Sequence, residues 1–388
     1  MNSVPIGALI ERVQSWSPAR EPERNFAYID LGSVDNSRKV ITGATLVLGA
    51  EAPSRARQIV ATGDILVSTV RPNLNAVAVV PPSLDGATAS TGFTVLRPSP
   101  KVDGRYLFHW VRSREFVCDM VRRATGASYP AVSDRIVKDS IVPTPHLSEQ
   151  RRIAAILDRA DAIRTKRRQV LAHLNSLAHS TFHEMFGAPS SWADRGPMTT
   201  IGELARSIDY GTAAKAGASG EWPILRMGNL TDEGRINLSD LKYLDLSPAE
   251  VPKYTTCPGD MLFNRTNSKE KVGKAAVVRT QQPFALAGYL IRVRFENAAI
   301  AEFVAAYLRS THGRAVRLSR AKAAVNQANI SASEMRKIGL TLPPTFKVEL
   351  FAERIAKIEA FRATFLHALQ TDEELFASLQ SRAFRGEL

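Results

Sequence analysis

Residues 148–186 read SEQRRIAAILDRADAIRTKRRQVLAHLNSLAHSTFHEMF, and this stretch decides the architecture. Apolar side chains recur every three or four residues, at Ile153, Ile156, Ala160 and Ile163, then at Val170, Leu174 and Leu177, with Arg167 breaking the stripe. That spacing places them on one helical face, and its persistence over several heptads points to a coiled coil rather than a short surface helix. Ser148 is a candidate N-cap with Glu149 in the first turn. Phe182, Met185 and Phe186 finish the pattern, and Gly187 with Pro189 stop it. At 1.5 Å per residue these 39 residues extend about 58 Å.

A second stretch of the same length closes the chain. Residues 346–384 place Phe351, Ile355, Ile358, Phe365, Leu369, Phe376, Leu379 and Ala383 at helical spacing, with Arg362 and Asp372 on the seam. Each stretch follows a proline cluster, Pro143 and Pro145 in one case, Pro343 and Pro344 in the other. Two long helices of equal length most simply pack on each other as an antiparallel coiled coil. The competing arrangement packs each on the domain that precedes it.

The segments upstream of the two helices also correspond. Ile6-Gly7-Ala8-Leu9 returns as Ile201-Gly202-Glu203-Leu204, and Gly63-Asp64-Ile65-Leu66 returns as Gly259-Asp260-Met261-Leu262. Ile29-Asp30-Leu31-Gly32 matches Leu225-Arg226-Met227-Gly228, Ala78-Val79-Val80 matches Ala276-Val277-Val278, and Trp110-Val111-Arg112-Ser113 matches Tyr307-Leu308-Arg309-Ser310. All five offsets lie between 195 and 198, close to half of the 388 residues, so the chain is two copies of one unit. Each copy opens strand-rich, at 59–70 and 76–80 and again at 260–263 and 275–278, then carries one short helical piece, 105–121 or 301–318. The fold class expected is α+β: tandem mixed α/β domains at 1–147 and 188–345, each followed by a long helix, 148–187 and 346–388.

Composition narrows the function. Apolar residues make up 44% and charged residues 23%, as in an ordinary globular chain. Only Cys118 and Cys257 occur, so a disulfide framework is excluded and a reducing, cytoplasmic setting is expected. No apolar run is long enough to span a membrane, and Met1–Val13 carries no leader pattern. The net charge is +13 with a pI near 9.9, which points to a polyanionic partner. The excess is concentrated: residues 55–143 carry 12 basic and 7 acidic side chains, and 251–343 carry 15 and 5. Concentration at the same place in both copies suits a phosphate-facing surface. The first long helix is also basic, by +4 over 151–187, and could face DNA or an acidic partner.

Side chains able to read bases cluster in the same segments. Arg71, Asn73 and Asn75 follow the first Gly-Asp strand, and Asn264, Arg265, Asn267 and Lys269 follow the second, with Lys271 and Lys274 just beyond. Asn326, Gln327 and Asn329 form an amide cluster whose counterpart in the first copy lies near Ser128 and Tyr129. Arginine can fork onto guanine and Asn or Gln onto adenine. Any single Asn could equally cap its own turn.

Catalytic signatures are missing. Gly273-Lys274 lacks the upstream glycine and following hydroxyl of a phosphate-binding loop, and neither a dinucleotide fingerprint, an Asn/Asp-Pro-Pro-aromatic segment nor a G-x-S-x-G elbow occurs. His179 and His183 stand four apart on a helix, but without a glutamate between them or a cysteine nearby no metal site is expected. Asp64 and Asp260 recur, but without the further acidic and lysine partners of a nuclease they read as turn residues.

Several segments resemble one known family, the specificity subunits of type I restriction–modification systems. Leu147-Ser148-Glu149-Gln150-Arg151-Arg152-Ile153-Ala154 is similar to the start of that family's central conserved helix. The segment from Ala52 to Arg57, which contains Arg55 and Arg57, together with Gly63–Asn73, resembles one type of target-recognition domain. Gly259–Ser268 resembles another, and Ser378–Leu388 is similar to the family's C-terminus. Pro344-Thr345-Phe346-Lys347 departs from the Leu-Ser-Glu-Gln pattern before the second helix. The resemblance implies a non-catalytic subunit that reads a split duplex target, one half-site per domain, with the coiled coil as spacer. It implies two methyltransferase subunits that methylate adenine, motor-nuclease subunits, and S-adenosylmethionine, ATP and Mg2+ bound by those partners rather than by this chain. Readings from other classes are a stand-alone nuclease or methyltransferase, and a repeat scaffold that binds only protein.

Overall fold

A computed structural model describes residues 2–189, 198–324 and 327–388. The chain forms two compact units, one of residues 1–169 with 367–388, the other of residues 170–366. Each unit therefore combines one β-rich domain with part of both long helices.

In the first unit a four-stranded sheet runs Ile10–Glu11, Phe93–Pro98, Ile65–Ser68, Val77–Val79. A second sheet runs Thr45–Leu48, Asn25–Ile29, Thr88–Ser90, Ala56–Ile59, with Asn25–Ile29 and Thr88–Ser90 parallel. The strand Ile65–Ser68 is buried on both faces, so it reads as a continuous apolar run. Gly63 takes a φ of +87° to make the turn before it. The Asp64 carboxylate accepts the Ala61 N–H at 2.8 Å and the forked Arg97 guanidinium at 2.9 and 2.7 Å.

The second unit repeats this plan. Its main sheet runs Ala205–Tyr210, Leu290–Phe295, Met261–Asn264, Ala275–Val277, the same order of equivalent strands. Gly259 (φ +89°) and Asp260 rebuild the turn, with Asp260 accepting from Cys257 N–H at 2.8 Å and Arg294 Nε at 2.9 Å. The recurrent Gly-Asp is thus a turn with a buried strut to a neighbouring strand. The short helical piece expected once per copy is two helices in each. Gly104–Val111 is followed by Arg114–Arg123, and Ala298–Arg309 by Thr311–Ser319. Ser113 and Ser310 break them by capping the second helix, accepting from Phe116 N–H and Gly313 N–H.

The long helices span Leu147–Phe186 and Thr345–Arg385. Ser148 lies inside the first turn rather than capping it. Gln150 is the buried anchor there, accepting from Asp103 N–H at 2.9 Å and donating to the Pro145 carbonyl at 2.9 Å. In the first unit Ile153, Ala154 and Leu157 share one core with Phe376, Ala383 and Phe384 and with Tyr106, Leu107 and Trp110 of the domain. The Phe384 ring stands 5.3 Å from Tyr106 and 5.0 Å from Trp110. His109, fully buried in the domain helix, donates to Asp158 on the central helix at 2.8 Å. In the second unit Phe182 and Phe186 join Val348, Phe351, Ile355 and Ile358, together with Phe303 and Tyr307. The beginning of the central helix therefore runs against the end of the terminal helix, and its end against the terminal helix's beginning. The pairing is antiparallel, and each pair also packs on a domain.

The seam differs from the sequence stripe by one position. Leu157 and Arg164 are buried, and Leu171 and Ala178 are half-buried. Ile163 and Leu177 are each 48% exposed and lie off the seam, while Ile156 and Val170 are half-buried beside it. Arginines disguise the true seam. The Arg164 guanidinium lies 4.0 Å from the Phe376 ring centre and 2.9 Å from Glu373, and Arg167 and Arg168 pair with Asp372 and Glu373. Long arginine stems cover apolar surface while their heads find carboxylates. On the terminal helix Phe351, Ile355, Ile358 and Phe376 are buried, and Phe365 and Leu369 are half-buried.

Phe182→Ala should lower unfolding free energy by about 3–5 kcal/mol, the usual cost of an emptied aromatic site. Phe361→Ala, at a side chain 62% exposed, should change it by no more than about 0.5 kcal/mol. Urea denaturation of the two variants checks the contrast.

Candidate nucleic-acid interface

The basic segments need sorting before any surface can be assigned, because an arginine bonded to a carboxylate is largely neutralised. In the first domain Arg97 pairs with Asp64, Arg105 with Asp158, Arg112 with Asp161, and Arg122 and Arg123 with Asp119. In the second, Arg279 pairs with Glu302, Arg292 with Asp209, Arg294 with Asp260, and Lys274 with Asp232. Much of the basic excess is internal strutting. Among the cations without an ion pair, Arg71 and Arg265 stand out, each just past the end of a central strand of its domain.

The edge beyond that strand is built the same way twice. Past the strand Ile65–Ser68, Val132 N–H bonds the Thr69 carbonyl at 2.9 Å and Arg71 N–H bonds Pro130 at 2.7 Å. Past Met261–Asn264, Ile330 N–H bonds the Arg265 carbonyl at 2.9 Å, and Thr266–Asn267 pairs with Gln327–Asn329, itself paired with Lys322–Ala324. The two stretches flagged separately in the sequence, 71–75 with 128–129 and 264–269 with 327–329, are thus joined in each domain.

On each edge one arginine lies on one tyrosine. Arg71 stacks 4.8 Å from the centre of the Tyr129 ring, which is 68% exposed. Arg265 stacks 4.7 Å from Tyr210, whose hydroxyl is fixed by accepting the Ala332 N–H at 2.9 Å. Among the described residues neither guanidinium has a carboxylate within ion-pair distance, and Arg265 Nε has no partner. A guanidinium stacked on a ring is held in one plane with its edge donors available, so little freedom is lost when it forks onto a base or phosphate.

The other sequence candidates divide. Arg55, Asn73, Lys269, Lys271 and Gln327 are exposed, and Asn267 and Asn329 half-buried. Asn267, Lys271 and Lys274 line a cleft of about 730 Å³ with Lys215, Arg226 and Tyr289. Asn264 is fully buried, its amide donating to the Met227 carbonyl at 3.2 Å, so it braces the domain instead of facing a ligand. Lys274 is buried at the cleft wall and held by Asp232 at 2.7 Å. Asn75 donates to the Val111 carbonyl at 2.9 Å, and Arg57 is held by Ser54 and Ser17; both are tied down inside the first domain. Asn326 lies outside the described residues.

The model of the type I restriction modification DNA specificity domain matches residues 50–175. The specificity subunit of the type I restriction enzyme EcoKI of Escherichia coli K12 is 24% identical over 314 residues, 76% of this chain and 68% of that one. The chain is thus similar to type I specificity subunits, and its residues 50–175 match the DNA specificity domain of that family. Solved structures share its fold. One comes from a study of complex assembly and conformational transition of the type I R-M system, at 23% identity and TM-score 0.60 over 100% of this chain and 98% of that one. The other is an S subunit from M. genitalium, at 13% identity and TM-score 0.58 over 99% and 96%.

The matched domain is one of DNA specificity. Tyr210 and Tyr289 belong to the candidate surface of this chain although the sequence does not single them out. Tyr210 ends a strand 55 residues before Arg265, and only the sheet brings the two together.

Asn264→Ala should lower stability by about 1–3 kcal/mol, since it empties a fully buried side-chain site and removes the hydrogen bond to the Met227 carbonyl. Asn267→Ala should leave the unfolding midpoint unchanged and alter only DNA affinity. Parallel denaturation and DNA titration of the two variants separate the roles.

Proposed function

We propose that the subunit reads a bipartite duplex target, each domain reading one half-site. The observation that carries this is the duplicated edge, where an arginine without a carboxylate partner lies on a tyrosine in both units. Arg71 with Arg55, Asn73 and Tyr129 serves the first half-site. Arg265 with Asn267, Lys269, Lys271, Gln327 and Asn329 serves the second. The shared edge supports assigning one function to both domains.

The long helices act as spacer and as docking rails. Apolar side chains point to solvent on the helix segments of each unit, Ile163 and Leu375 in the first, Leu177 and Phe361 in the second. One methyltransferase subunit per unit is the arrangement these support, each methylating adenine in its half-site, with motor-nuclease subunits completing the complex. The base leaves the stack for a partner's pocket, so S-adenosylmethionine, ATP and Mg2+ belong to the partners and this chain binds none of them. No helix among the described residues is long and apolar enough to cross a membrane, and the site of action proposed is the cytoplasm, where the DNA is.

Long-read methylome sequencing of cells with and without the gene, the partner subunits being present, should show one split adenine-methylation motif disappear. An unchanged methylome refutes the reading, and turnover of DNA by the purified chain alone would favour a stand-alone enzyme. Arg265→Ala should lower discrimination within the second half-site by about 1–3 kcal/mol and spare the first. Uniform weakening on every sequence would instead assign Arg265 to a phosphate.

A further inference from the structure

Among the described residues, three that carry side chains adopt a left-handed backbone: Lys39 (φ +58°), Arg71 (φ +50°) and Asn75 (φ +46°). L-residues avoid this region because Cβ crowds the backbone, and Asn tolerates it better than Lys or Arg. All three converge in the first unit. Arg71 and Asn75 bracket the tight turn Pro72–Leu74, closed by Leu74 N–H to Arg71 O at 2.9 Å and Asn75 N–H to Pro72 O at 3.0 Å. Lys39 sits at the tip of the hairpin that pairs Val34–Asp35 with Val40–Ile41. Asp35 stiffens that tip by accepting from Ser37 N–H at 2.9 Å and Arg38 N–H at 3.0 Å.

The Lys39 ammonium donates to Asn75 Oδ1 at 2.9 Å and also to the Asn75 backbone carbonyl. The Asn75 amide donates to the Val111 carbonyl at 2.9 Å. The turn that carries Arg71 is therefore gripped from the hairpin on one side and the domain helix on the other. Backbone strain held by surrounding contacts concentrates where geometry serves recognition or switching.

We propose that Lys39 is the positioning residue of the first domain's reading loop, its grip on both carbonyl oxygens of Asn75 holding the Arg71–Asn75 turn in register for the first half-site. The proposal rests on the reading that this loop faces DNA, and Lys39 itself touches no base in it. The charged groups facing the amine are Arg112 beyond the domain helix, Asp161 on the central helix and Asp35 on its own hairpin. Burial, with Arg112 adding to it against the pull of Asp161 and Asp35, brings the amine from 10.5 down to about 8. Two effects of opposite sign follow. Raising pH through about 8 discharges the clamp and loosens the loop. Between about 8 and 10.5 the unfolded chain binds the proton that the folded chain has lost, so this group makes folding more favourable as pH rises.

The test uses the subunit assembled with its methyltransferase partners and duplexes carrying the methylome-derived motif, altered in the first or the second half-site. Lys39→Met should weaken cognate binding about tenfold, as loss of a charge-assisted hydrogen bond does, and erase discrimination within the first half-site only. Asn75→Gly, which removes Oδ1 and relieves the left-handed strain, should give the same pattern with an undiminished unfolding midpoint, so a misfolded Lys39 variant leaves the test intact. For the unaltered complex, first-half-site discrimination should fall between pH 7 and 9 while the urea midpoint does not. Retained first-half-site discrimination in both variants, or equal loss at both half-sites, overturns the positioning role. An unaltered complex that discriminates at neither half-site overturns the DNA-reading assignment and this proposal with it.

Discussion

The structure depends on phenylalanines that complete cores they do not belong to in sequence order. Phe384, near the end of the chain, packs its ring on Tyr106 and Trp110 of the first domain. Phe182 and Phe186, at the end of the first repeat, pack with Phe303 of the second domain and Phe351 of the terminal helix. Neither domain core is finished by its own repeat alone. Burying each of these rings is worth about 1.5–3 kcal/mol, and the helix ends must be paired for the rings to arrive. Antiparallel pairing and domain integrity are therefore one constraint.

Polar chemistry at the seam works within that constraint. Arg164, Arg167 and Arg168 in the first unit meet Glu373 and Asp372, while in the second Arg235 grips Glu359 at 2.8 Å. Half-buried pairs of this kind add modest net stability, but a shifted helix would leave charges unpaired. They select one register over its neighbours.

The same sorting explains the charge. A net +13 suggests a broadly cationic surface, but many cations of each domain are struts tied to carboxylates. Struts such as Arg97 on Asp64 and Arg294 on Asp260 hold strands together. Other cations have no carboxylate partner among the described residues, and in each domain one of them, Arg71 or Arg265, lies on a tyrosine. The two edges are equivalent in architecture but not in side chains: Arg265 aligns with Thr69, and Tyr129 with Gln327. The scaffold is duplicated while the side chains on its edge differ.

The amino-acid sequence by itself determined the duplication, the α+β class, the two long helices and the recurrent Gly-Asp turns. These are local or periodic properties: repeats preserve order, apolar spacing reports a helix, and Gly-Asp marks a turn wherever it stands. Only the tertiary structure decided which face of the central helix is the seam, because Arg164 looks solvent-bound until Phe376 and Glu373 meet it. It also decided that Asn264 is a buried brace while Arg265 lies on Tyr210, although they are adjacent in the chain. Alternation along a strand sends neighbours to opposite faces, and what lies on each face comes from segments far away in sequence. Lys39 was illegible for the same reason. Its partner Asn75 lies 36 residues on, and a left-handed backbone at a lysine leaves no compositional trace.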